Sequence, residues 1–197
     1  MISRSLILLA ALLLPATALA LEQPSQYYGF TIGGYTLDDG LDGLDDDLAD
    51  NAGIDDIGTL RTSEDIGFRA GYDFHRFFGI EGRLGYSTRQ NNRLDALHDE
   101  LYYGGVFGRF KLPFQRLNMF ALAGVGGVQL DIDDDAADVF GINDRYGDIG
   151  ASWGVGVELF GSDRVALTLD YMSYADNQYD GFSLGFVHHF DWPRLRR

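Results

Sequence analysis

The sequence predicts an all-β fold: an eight-stranded antiparallel up-and-down transmembrane β-barrel. Three observations carry this. Apolar and polar residues alternate with period two, most plainly in "SWGVGVELFGSDRVALTLDYM" (152–172). The alternating segments run to about 11–14 residues, longer than soluble strands and suited to tilted membrane strands. The connections between them alternate short and long, as periplasmic turns and extracellular loops do.

Residues 1–20, "MISRSLILLAALLLPATALA", combine Arg4, an apolar run from Leu6 to Leu14 and an Ala18-Leu19-Ala20 cleavage site. They read as a cleaved secretory signal peptide rather than a transmembrane helix. The barrel is expected over 21–190, followed by a short periplasmic tail, 191–197. Cysteine is absent, so no disulfide framework supports the exported chain. Glycine is abundant at 26 residues and proline rare at 4, which favours strands and turns over long helices.

Eight strands are expected, at 26–37, 63–74, 78–88, 100–112, 117–130, 148–160, 164–175 and 179–190. Short turns "HRF", "PFQR" and "GSD" alternate with connections 38–62, 89–99, 131–147 and the brief 176–178. This places both termini in the periplasm.

The formal charge of −15 is unevenly spread. Residues 38–62 hold nine Asp and one Arg, and residues 131–147 hold six Asp and one Arg. With Arg4 removed, these two loops carry −13 of a mature charge of −16, leaving a nearly neutral frame. The negative sign disfavours nucleic-acid binding.

One face of the strands is apolar: Tyr28, Phe30 and Ile32; Ile66 and Phe68; Ile80, Leu84, Val106 and Phe110; Leu122 and Val128; Trp153, Val155 and Val157; Leu167 and Leu169; Phe182, Leu184 and Phe186. The other carries Thr31, Gln129 and many Gly, with four cations (Arg69, Arg83, Arg109, Lys111) and four anions (Asp73, Glu81, Glu158, Asp170). Four against four suits a narrow, low-dielectric lumen, and the apolar face then meets lipid. Aromatics at strand ends, among them Tyr27, Tyr28, Tyr72, Phe74, Phe78, Tyr102, Phe114, Phe190 and Trp192, are expected to form two interfacial girdles. The fifth strand, "LAGVGGV", does not alternate cleanly.

The eight alternating strands and the closing "GFSLGFVHHF" resemble the small outer-membrane β-barrels, the opacity-type surface proteins and the membrane domain of outer-membrane protein A. The resemblance spans 22–190. It implies integral outer-membrane localisation and a terminal-aromatic role for Phe190, although "DWPRLRR" follows that residue. No peptidoglycan-binding domain follows in this chain, so that activity is not implied.

A structural or surface-interaction barrel, its lumen plugged by paired charges, is the expected function. The alternatives are a small-solute or ion channel and, less favoured, a lipid-modifying barrel enzyme. No catalytic, cofactor or metal residue is assigned. His75, His98, His188 and His189 have no Ser partner in a recognisable motif, and His98 beside Asp99 and Glu100 reads as a solvated loop residue. The expected partners are outer-membrane lipid and lipopolysaccharide, with weak divalent cations at the acidic loops; neither loop has EF-hand or nonapeptide calcium spacing. A monomer is expected.

Overall fold

The computed structural model describes residues 25–37, 60–87, 99–132, 137, 138, 143 and 145–191. The signal peptide, most of both acidic stretches, His98 and Trp192 lie outside the described residues.

Eight strands close one barrel in chain order, each antiparallel to its neighbours: β1 Ser25–Leu37, β2 Leu60–Asp73, β3 Phe78–Ser87, β4 Asp99–Pro113, β5 Leu117–Ile132, β6 Arg145–Phe160, β7 Val165–Tyr174 and β8 Tyr179–Asp191. β8 pairs back onto β1 from Ser25↔Asp191 to Leu37↔Tyr179, so the sheet has no open seam. Closure satisfies the backbone of every strand within the protein, which a spanning sheet requires in lipid. No helix among the described residues is long and apolar enough to cross a membrane.

The period of two sorts the side chains. Ile32, Leu84 and Val106 are 64–69% exposed on the outer wall, whereas Arg69, Glu81 and Glu158 are at most 1% exposed inside. An apolar exterior around a charged interior inverts a soluble protein and fits a hydrocarbon solvent.

β5 corrects the expected faces. Leu122 and Val128 are buried in the lumen, while Met119 and Val125 face outward. Gln129 shares that outer face and donates to Asp131. Both faces of β5 are apolar, so composition alone could not set its phase; strand pairing does. Leu122 lies opposite Arg109 of β4, and Asn118 opposite Glu158 of β6, both lumenal. Tyr27 is also corrected: it is buried inside rather than in a girdle, because it has the parity of Gly29 and Thr31.

Three strand ends run two or more residues beyond the expected limits. β2 begins at Leu60, β5 ends at Ile132 and β6 begins at Arg145. The β5–β6 hairpin continues through polar residues because Asp131 pairs with Arg145, joined by a 3.0 Å ion pair. The β7–β8 connection is short but shaped. Ala175, Asp176 and Asn177 have left-handed φ of 49°, 56° and 74°. The turn is tied to β6 by Ala151 N–H donating to Asp176 and Trp153 Nε1 donating to Asn177.

Candidate functional site in the barrel lumen

The inward charges converge near the end of the barrel that carries the short turns. Arg69 on β2 reaches three carboxylates: Glu81 on β3 at 2.8 Å, Glu158 on β6 at 3.2 Å and Asp170 on β7 at 3.2 Å. It therefore bridges opposite walls of the barrel. Arg83 donates to Glu81 at 2.6 Å and to Asp170 at 2.7 Å. Arg109 donates to Glu158 at 2.6 Å, and Lys111 to Asp73 at 2.6 Å. Tyr27, Thr168 and Ser183 add hydroxyl donors to Glu81 and Asp170. All eight charges expected in the lumen are brought together there. Dense pairing is what makes burial of so many ions tolerable at low dielectric. The guanidinium groups of Arg69 and Arg109 also lie over Phe120, at 5.0 and 4.7 Å from its ring centre.

A second layer fills the lumen toward the long loops. Tyr35 stacks on Tyr179 with ring centres 4.9 Å apart, and Tyr103 lies 5.2 Å from each of Tyr35, Tyr174 and Tyr179. Phe107, Met172, Leu101 and Leu130 complete a buried cluster around them. Glycine makes room for the rings. A Cβ at Gly85 would overlap the Tyr103 ring, and one at Gly71 the Tyr27 ring. Gly71 and Gly85 are thus the counterparts of large aromatic partners.

This aromatic layer was absent from the expected site. Its signal was the parity itself: Tyr103 and Phe107 are in phase with Arg109, and Tyr35 with Thr31. Asp65, buried and accepting from Tyr179 at 2.9 Å, was likewise missed. The histidines separate by position. His189 faces the lumen 3.8 Å from Glu158, and His188 faces outward against the rings of Tyr28 and Phe190. His75 sits in a turn, where Nδ1 accepts from the Phe77 N–H. No group of three or more His, Asp or Glu is placed to hold a metal among the described residues.

Comparison with known proteins places this arrangement. Ail, the attachment invasion locus protein of Yersinia pestis, solved in complex with the heparin analogue sucrose octasulfate, aligns with a TM-score of 0.54 at 16% identity, covering 86% of this chain and 99% of that one. Neisserial surface protein A gives 0.54 at 12% identity, covering 87% and 100%. The N-terminal β-barrel domain of Pseudomonas aeruginosa OprF gives 0.52 at 14%, covering 86% and 98%. At these identities the likeness is one of fold. No curated protein matches the chain by sequence. The model of the outer membrane protein β-barrel domain matches residues 6–190. The chain belongs to that family and is an integral protein of the bacterial outer membrane.

Proposed function

We propose that this protein is a monomeric surface-interaction barrel, with a plugged wall as its anchor and the two acidic loops as its working parts. One observation carries the reading: the lumen is filled twice over, by the ion-pair layer and by the tyrosine layer above it. An eight-stranded barrel has room inside for side chains and little else. With the bore filled, the distinctive chemistry is the loop charge, nine Asp in 38–62 and six in 131–147.

Those carboxylates suit divalent cations held weakly between loop and lipopolysaccharide phosphate, in the millimolar range of extracellular sites. Exposed pairs of this kind are individually weak and salt-sensitive. The same charge would repel a polyanion such as the sulfated sugar in the Ail structure, so that partner is not carried over. No catalytic role is assigned. Cleavage after Ala20 and a periplasmic tail from 191 belong to the same reading.

Single-channel recording in a planar bilayer tests it. The purified barrel should show no steady conductance. A stable open state would make the lumen the working part and the protein a channel.

A further inference from the structure

Arg61 of β2 apart, the described cations fall into two sets. Arg69, Arg83, Arg109, Lys111 and Arg145 each hold a carboxylate within 4 Å. Arg76, Arg116 and Arg164 hold none among the described residues. These three occupy the three short turns, one in each: "HRF", "PFQR" and "GSDR". They stand on the rim opposite the acidic loops, which in barrels of this kind faces the periplasm.

The rim is firmly built. The Phe77 carbonyl accepts from Lys111 N–H, the Arg116 carbonyl from Phe160 N–H, and the Arg164 carbonyl from His189 N–H. Each turn is thereby pinned to the next hairpin at or beside its arginine. Lipid-facing apolar residues adjoin every arginine: Phe74 and Phe78 around Arg76, Phe114 near Arg116 and Val165 after Arg164, all 41–58% exposed. That sets the guanidinium groups at headgroup depth, with long stems able to reach the interface. Asp163 is the one acidic residue within the three turns.

We infer that this arginine crown binds the phosphates of anionic glycerophospholipid in the periplasmic leaflet, fixing the barrel's depth and axis from below. Guanidinium groups match phosphate by bidentate hydrogen bonding, and none of the three has a competing carboxylate among the described residues, Arg76 lying instead over the Phe77 ring at 5.5 Å from its centre. The molecule is then charged along its axis, negative outside and positive at the inner rim. Its electrostatic hold on lipid comes from the inner leaflet, while the outer loops can meet lipopolysaccharide phosphate only through a shared cation.

Native mass spectrometry of the full barrel in detergent, titrated with phosphatidylglycerol or with phosphatidylcholine, tests the inference. Wild type should prefer phosphatidylglycerol, and high salt should erase the preference. Replacing all three together, Arg76→Gln, Arg116→Gln and Arg164→Gln, should lower phosphatidylglycerol affinity roughly a hundredfold, from the contribution of each basic residue near an anionic surface. The triple Lys variant keeps the charge and should retain the preference within about tenfold, which separates charge from any folding defect. Equal binding of the two lipids by wild type, or an undiminished preference in the triple Gln variant, would overturn the inference. So would co-sedimentation with peptidoglycan that the Gln variant loses while its lipid preference persists.

Discussion

The two layers of the lumen solve one packing problem by opposite chemistry. Near the turns, four cations and four carboxylates interlock, and several of their atoms still lack a hydrogen-bond partner: Arg69 Nε, Arg109 Nε and Nη1, and Asp73 Oδ1. Near the loops, the space is filled by rings, and Tyr174 Oη is the orphan. The charged layer is specific and exposed to risk, since removing one member strands its partners in a dry interior. The aromatic layer is tolerant, because its contacts are largely dispersion and area, and it keeps water away from the ions beneath.

The largest effect is therefore expected in the charged layer. Arg69→Leu deprives Glu81, Glu158 and Asp170 of a shared donor and should cost about 3–5 kcal/mol. Equilibrium unfolding in urea, from vesicles or detergent, measures it. A change below 1 kcal/mol would mean that the lumen is wet enough to solvate the freed carboxylates. The outer wall gives the reference for the same kind of burial seen from lipid. Leu169→Arg faces the hydrocarbon near the middle of β7 and should cost about 2–4 kcal/mol. If it is silent, the wall at Leu169 is not in contact with hydrocarbon.

Packing of the aromatic layer is probed from below the rings. Gly85→Ala drives a methyl into Tyr103 and should cost about 1–3 kcal/mol by overpacking. The double variant with Tyr103→Leu should recover part of that loss, because the ring is what the methyl meets. No recovery would place the strain in the strand pairing instead.

How far the sequence reveals these layers depends on the contrast between the two faces of a strand. β2, β3 and β7 place charges opposite aliphatics, so Arg69, Glu81 and Asp170 could be set inside from spacing alone. Their pairing across the barrel could be anticipated as a four-against-four balance, though not who holds whom: Arg69 spans strands that lie 101 residues apart at Asp170. β5 is apolar on both faces, and its phase emerges only from opposing Arg109 to Leu122. The aromatic layer was hidden for a related reason. A tyrosine suits a girdle, a lumen or a soluble core, and only its parity with Thr31 or Arg109 tells them apart. The crown of arginines needed the structure in another sense. The residues stand plainly in the turns, but their lack of a carboxylate partner among the described residues becomes visible only beside Arg69, Arg83, Arg109, Lys111 and Arg145, which each have one.

The finest distinction lies within the aromatic layer, between two hydroxyl groups on adjacent rings. Tyr179 Oη donates to Asp65 at 2.9 Å in a buried site, whereas Tyr174 Oη has no hydrogen-bond partner. The two residues are paired across β7 and β8, and both are fully buried, so ring burial cancels when their Phe variants are compared. Tyr179→Phe removes a hydrogen bond to a carboxylate and should cost about 1.5–3 kcal/mol. Tyr174→Phe removes a hydroxyl that is desolvated without compensation. It should be neutral or stabilise by up to about 1 kcal/mol, since losing an unsatisfied buried group relieves a desolvation penalty. Urea midpoints at unchanged m-value decide between them. If Tyr174→Phe costs as much as Tyr179→Phe, a bonded water or side chain serves Tyr174, and the upper layer is as polar in its demands as the lower. If both are neutral, Asp65 is held by its other contacts, and the aromatic layer works through ring packing alone.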